Sequence, residues 1–211
     1  MERSSHNWPF GWRLALAPTR ALFDSKFMKT REGWDIKHWS VTFLLVNGIL
    51  LFLLKPLWLV ESWTGKTMVV LILYAIPGSR VVEILYAFYY DALEKINYGT
   101  NKPSVLKRGD RFRLVGISYA EVSICFASFY HAMPESWFNI SEKALHGGRF
   151  LNSIDWLYFS WVTITTTGYG DFSATNPLAR AFVMFELAVG LFLIVFAVGS
   201  YFAYKEELSQ P

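Results

Sequence analysis

Apolar residues gather into four long runs, set apart by basic and mixed stretches. The first extends from Trp39 to about Val60, the second from about Thr67 to Tyr90, the third from Phe112 to Ala132 and the fourth from Leu178 to Tyr204. A helix crossing a bilayer needs about 20 mostly apolar residues, so each run is long enough to span. Lys55 stands near the outer end of the first run, where its stem can snorkel, and Pro56 can bend the helix there. The second run carries Pro77-Gly78, Arg80 and Glu83, the third Glu121, and the fourth Glu186. A shorter segment, Ser153 to Thr165, suits a helix but cannot span. It predicts a re-entrant helix, followed directly by the irregular stretch Thr166-Thr167-Gly168-Tyr169-Gly170-Asp171. Irregular backbone at membrane depth is tolerated only where it is buried in protein or lines a water-filled path. The predicted fold is an all-α membrane protein of four transmembrane helices plus one re-entrant segment.

Composition agrees with that pattern. Of 211 residues, 53% are hydrophobic and 18% aromatic, nine of them Trp, and mean hydropathy is +0.27. Such aromatic content suits bilayer interfaces. Arg3, Arg13, Arg20, Lys26, Lys29, Arg31 and Lys37 precede the first run, and Lys95, Lys102, Lys107, Arg108, Arg111 and Arg113 fall between the second and the third. The other two connections carry only Lys66, and Lys143 with Arg149. Basic loops stay inside, so both termini are expected in the cytoplasm and the irregular hexapeptide faces outward. Residues 1–38 form a cytoplasmic segment whose mixed aromatics and cations read either as an interfacial helix or as an irregular tail. Residues 39–92 form a peripheral hairpin. A basic linker, 93–111, follows, with turn-like Asn101-Lys102-Pro103 and Arg108-Gly109-Asp110. Residues 205–211 are expected to form a short cytoplasmic tail, too short for a cytoplasmic ligand-binding or nucleotide-binding domain.

A formal net charge of +3 gives no argument for nucleic acid, and the lone Cys125 reads as a small buried apolar residue. The sequence has no P-loop, HExxH or clustered Cys/His set, so neither enzyme chemistry nor a bound cofactor is expected.

Glycine permits backbone angles that a Cβ forbids, so Gly-Tyr-Gly lets consecutive carbonyls face one side and replace a cation's water shell. Residues Ser153 to Tyr204, and above all Thr165-Thr166-Thr167-Gly168-Tyr169-Gly170-Asp171, resemble the pore region of potassium channels. Gly190 lies nineteen residues beyond Asp171, the offset of the hinge glycine in two-helix bacterial members, and Arg180 matches a basic residue at the start of their inner helix. The resemblance implies a pore domain, 112–204, with outer helix 112–132, outer loop 133–152, pore helix 153–165, filter 166–171 and inner helix 178–204. It implies K+ as permeant ion, coordinated by the carbonyls of Thr166, Thr167, Gly168 and Tyr169 and by the Thr166 hydroxyl, with Gly170 completing the backbone. One filter segment per chain implies a homotetramer in a lipid bilayer. Tyr169 would pack behind the filter on pore-helix aromatics, the candidates being Trp156, Tyr158, Phe159 and Trp161.

Two departures bear on the filter. Thr167 stands where the family commonly has Val, and its hydroxyl needs a partner. Val162 stands where some members carry a carboxylate that pairs with the acid after the filter, so Asp171 is expected to bond Trp161 or another aromatic donor. Glu186, one turn before Gly190, is expected either to support the filter, accepting from pore-helix hydroxyls such as Thr163 or from Thr167, or to make a plain packing contact. Leu191, Ile194, Val198 and Phe202 recur at helical spacing and either line the inner cavity, with Phe202 as a gate, or face lipid. Arg80 and Glu83 are expected to pair locally at i,i+3. Glu121 is either a partner for another span or a packing contact. His131 and His146 lie at the outer side, as does the sequon Asn139-Ile140-Ser141. The expected function is passive, K+-selective conduction without a voltage sensor, regulated if at all by lipid or a separate partner. The alternatives are a transporter accessory subunit, a weakly selective cation channel and a non-conducting membrane interaction protein.

Overall fold

The computed structural model describes residues 34–57, 74–89, 108–141 and 151–208, with side chains described at 40–53, 74–89, 113–141 and 151–199. Residues 1–33, the connection inside the first hairpin, the linker up to Lys107, His146 and the Phe202 side chain lie outside them. Helix α1 spans Trp34–Leu57 and ends just past Pro56. Residues 74–89 form α2, which runs through Pro77-Gly78. Helix α3 spans Arg108–Ala132, a 3-10 turn Glu135–Trp137 leads into strand β1, Phe138–Ile140, and α4 spans Ser153–Ile164. Strand β2, Phe172–Ala174, and α5, Pro177–Leu208, complete the order. At 1.5 Å per residue the 12-residue α4 covers about 18 Å, roughly half a bilayer, whereas the 32-residue α5 reaches about 48 Å.

Two expectations need correction. The fold is mostly helical but not all-α: β1 and β2 pair antiparallel, Phe138 opposite Ala174 and Ile140 opposite Phe172. The pairing continues at both ends, where Ser141 N donates to the Asp171 carbonyl at 2.9 Å and Thr175 N to the Trp137 carbonyl at 2.8 Å. Second, Arg108-Gly109-Asp110 is the first turn of α3 rather than a linker turn; an acid there is favoured by the helix dipole. Helix α5 likewise runs past Tyr204 to Leu208. Among the described residues, Pro177–Gly199 is long and apolar enough to cross a membrane on its own, while α1 contributes a shorter apolar stretch, Ser40–Leu53. Helix α3 fails that test because Ser118, Glu121, Ser123 and Ser128 dilute it, and all four are buried.

Helix α1 is arranged inside out. Val41, Leu45, Ile49, Phe52 and Leu53 are exposed, while Ser40 and Asn47 are buried with Phe43 and Leu51. A helix with apolar residues outward and polar ones inward belongs in lipid rather than water.

The remaining core is aromatic. Phe138 of β1 meets Trp156 edge-on at 4.9 Å, and Tyr130 of α3 meets Phe159 at 4.9 Å. Phe172 of β2 closes on the same two α4 rings. Through these rings the small sheet is wedged against α4, which fixes where the chain leaves the hexapeptide.

Candidate functional site

Helix α4 starts at a reciprocal cap. The Asn152 side chain accepts from Ile154 N and Asp155 N, and Asp155 accepts from Asn152 N at 2.7 Å. At its other end four backbone carbonyls lack partners inside the helix. Trp161 O accepts from Thr165 N at 3.2 Å and from the Thr165 hydroxyl at 2.7 Å. Val162 O accepts from Thr167 N at 3.0 Å and Gly168 N at 3.4 Å, and Thr163 O from Thr166 N at 2.8 Å. The fourth, Ile164 O, is reached from another helix by the Tyr119 hydroxyl at 2.8 Å. All four carbonyls are therefore satisfied, three of them by the hexapeptide and its leading threonine.

The hexapeptide alternates in hand. Thr166, Gly168 and Gly170 have φ of 57°, 53° and 79°, and Thr166 is the sole non-glycine with positive φ among the described residues. A β-branched residue held there costs about 1–3 kcal/mol and persists where its surroundings enforce it. Left-handed residues at every second position turn successive carbonyls to one side and successive N–H groups to the other. The N–H groups of residues 166 to 168 point back to α4. Among the described residues no donor reaches the carbonyls of 166 to 170. Residues 165 to 170 are exposed in the lone subunit.

The side-chain partners can be named, and the aromatic donor to Asp171 is Tyr158. The Thr167 hydroxyl meets the Thr165 hydroxyl at 3.0 Å. Asp171 accepts from the Tyr158 hydroxyl at 2.8 Å and from Phe172 N at 3.1 Å, not from Trp161. The hydrogen bond to Asp171 pushes the Tyr158 hydroxyl up to about 12, so it stays protonated and donating at physiological pH. Trp161 instead lies edge-on to Tyr119 at 6.4 Å. The Tyr169 ring is not packed on the chain's own pore-helix aromatics; it is 70% exposed. Val162 is half-buried and its side chain can accept nothing, but its carbonyl receives two hexapeptide N–H groups.

Glu186 is completely buried. Its carboxyl meets the Ser160 hydroxyl of α4 and accepts, at 2.6 Å, from the Tyr130 hydroxyl of α3, while neither Thr163 nor Thr167 reaches it. Gly190 explains the register. A Cβ there would stand 2.6 Å from Ile164 Cγ1 and 3.2 Å from its carbonyl, so only glycine lets α5 pass so close beneath the end of α4. Both helices run the same way, and four residues back along each, Glu186 meets Ser160. Gly190 itself is helical, inside an unbroken α5. Leu191, Ile194 and Val198 are exposed, joined by Val195, which the sequence pattern had not singled out.

Behind α3 the ion pairs are wider than Arg80 and Glu83 alone. Arg80 Nη1 meets Glu83 at 2.8 Å, while Nε meets the fully buried Glu121 at 2.5 Å. Glu121 is thus the partner of another helix. Tyr119 and Ser160 also escaped sequence reasoning. A hydroxyl inside an apolar run was their signal, but their partners depend on how the helices are rotated.

A half-membrane helix, a backbone of alternating hand and two flanking helices make up an ion-channel pore unit. An ion channel family model matches residues 118–206, which cover this unit. The chain is similar to the two pore potassium channel a of Oryza sativa subsp. japonica, 36% identical over 102 residues, or 46% of this chain and 26% of that protein. It is also similar to the probable potassium channel protein 2 of Methanocaldococcus jannaschii, 48% identical over 40 residues, or 19% of this chain and 12% of that protein. The chain thus spans about a quarter or less of the length of these relatives. No solved structure gives a significant match. Residues 118–206 are thus similar to ion channels, and the two proteins the chain is similar to carry the name of potassium channels.

Proposed function

We propose that four copies of this chain form a potassium-selective channel that conducts K+ passively across the cell membrane, with both termini cytoplasmic. The observation that carries this reading is the hexapeptide backbone. Its N–H groups at 166 to 168 are tied to α4, and its carbonyls at 166 to 170 have no donor among the described residues. Repeated four times around an axis, the carbonyls of Thr166, Thr167, Gly168 and Tyr169 and the Thr166 hydroxyl replace the water shell of a K+ ion. Asp171 then stands at the outer mouth, steered by Tyr158. The stripe of Leu191, Ile194 and Val198 lines the inner cavity, with Phe202 as its cytoplasmic neck. Glu186 supports the filter through Ser160. The first hairpin lies outside the pore, and conduction needs neither a dedicated voltage sensor nor a cytoplasmic ligand domain.

Proteoliposomes carrying a K+ gradient test this. The purified chain is expected to pass K+ but not Na+, to be blocked by Ba2+, and to lose flux in Gly168→Ala, whose Cβ is strained at φ 53°. Equal K+ and Na+ flux, or no flux in the unmodified chain, would overturn the reading.

A further inference from the structure

Helix α3 bonds in two directions within little more than one turn. Tyr119 and Ser123, four residues apart, reach α4: the Tyr119 hydroxyl donates to Ile164 O at 2.8 Å, and Ser123 O accepts from the Ser160 hydroxyl at 2.8 Å. Glu121, between them, turns to the hairpin. It receives Arg80 Nε at 2.5 Å and Nη2 at 3.2 Å. The same guanidinium bonds Glu83 at 2.8 Å and lies 4.4 Å from the centroid of the Phe43 ring of α1. One arginine therefore ties α1, α2 and α3 together. The hairpin also touches α4 directly, where the Ser153 hydroxyl donates to Leu51 O at 2.9 Å.

Of the four terminal carbonyls of α4, Ile164 O alone is held by a residue outside the pore-helix and filter stretch. Gly190 of α5 packs so close to the same residue that an added Cβ would stand 3.2 Å from the Ile164 carbonyl. The Ile164 peptide, from which the filter continues, is thus clamped between α3 and α5.

We propose that the Tyr119–Ser123 turn of α3 is a coupling element: the peripheral hairpin, docked through Arg80 on Glu121, sets the stability of the filter through Tyr119. The proposal rests on the channel reading above. Tyr119 is a positioning residue, since it holds the Ile164 peptide and touches no ion. Glu121 cannot leave Arg80 without exposing an unpaired charge to an apolar interior, which is strongly unfavourable. A helical turn is stiff, so a shift of Glu121 carries Tyr119 and Ser123 with it. The hairpin thereby becomes the place where lipid or a partner can act on conduction. Spatial adjacency does not establish coupling; a measured interaction energy does.

The test uses the full chain in planar bilayers of phosphatidylethanolamine and phosphatidylglycerol with K+ on both sides. Current decay and Ba2+ block affinity are measured for the unmodified chain, Tyr119→Phe, Glu121→Gln and the double variant. Both readouts follow filter geometry and not channel number. Each single change is expected to shift one or both by about three- to tenfold. The double variant is expected to shift them no further than the larger single, because both act through one turn. If Glu121→Gln fails to assemble, Arg80→Gln/Glu121→Gln, which leaves no charge unpaired, takes its place in the cycle. Unmoved decay and Ba2+ affinity in Tyr119→Phe, or fully additive effects, overturn the proposal. A silent unmodified chain overturns the channel reading and the coupling with it, whereas an active one with unmoved variants overturns the coupling alone.

Discussion

Glu186, Ser160 and Tyr119 around α4, and Arg80 and Glu83 of the hairpin with the α3 residue Glu121 that receives them, face the same difficulty, polar groups inside an apolar packing. The pore half directs its polar side chains into α4 and its terminal carbonyls: Ser160 links Glu186 to Ser123 O, and Tyr119 completes the helix end. The hairpin half directs its charges at one another across a single guanidinium. It also leaves Asn47 buried with neither amide atom bonded to a described residue. The pore half therefore uses polar groups to fix a backbone shape. The hairpin uses them to dock one body on another.

The comparison breaks most sharply at Arg80. Arg80→Met strands Glu121 in the core and should cost about 3–5 kcal/mol. Arg80→Met/Glu121→Met removes both charges and should recover most of that loss, because a buried pair is often no more stabilising than apolar residues of similar volume. Thermal unfolding of the purified chain in detergent reads both. A double variant as unstable as the single one would mean that the hairpin is held by the specific ion pair rather than by avoidance of a lone charge.

Glycine gives the next contrast, between one position in each half. At Gly190 an added Cβ collides with Ile164, whereas at Gly48 of α1 nothing lies within 4 Å. Gly190→Ala should cost about 1–3 kcal/mol through overpacking. Gly48→Ala should gain up to about 1 kcal/mol from helix propensity alone. The same unfolding measurement separates them. If Gly190→Ala unfolds like the unmodified chain while altering conduction, the residue acts as a bending point and not as a close contact.

Much of this was legible in the sequence, for reasons that also mark where legibility stops. Apolar runs located the long helices, and the brevity of Ser153 to Thr165 identified a helix that cannot span. Glycine spacing pointed to the left-handed positions at 168 and 170, but Thr166 joined them because α4 and Thr163 O impose its conformation, not because of its type. The two three-residue strands escaped because so short a strand has no period of its own; the aromatic wedge between Phe138, Trp156 and Phe172 creates it. The partner of Glu186 escaped for a different reason. Periodicity gives each helix a face but not its rotation against a neighbour. That rotation follows from Gly190 meeting Ile164, a contact visible only in three dimensions. Tyr169 was expected against its own pore helix, yet packing of an exposed ring is decided by whatever adjoins the subunit, which one chain's pattern does not contain.

The smallest effect is expected at the outer mouth, and it sharpens the comparison from the exposed side. Tyr158 and Glu83 each stand at the more accessible end of a polar network, one in the pore half and one in the hairpin. Removing either partner leaves nothing buried and unpaired, since Asp171 keeps its bond from Phe172 N and Arg80 keeps Glu121. Tyr158→Phe and Glu83→Gln should therefore both change unfolding by no more than about 1 kcal/mol. Their effects on conduction should differ. Asp171 begins the segment paired to Ser141, two residues beyond Tyr169, so a freed carboxylate loosens the outer end of the filter. Tyr158→Phe should speed current decay severalfold, whereas Glu83→Gln should leave it within about twofold, because Glu121 still holds the arginine. Equal decay in the two variants would mean that the outer mouth is no more tightly tied to filter geometry than the rim of the hairpin.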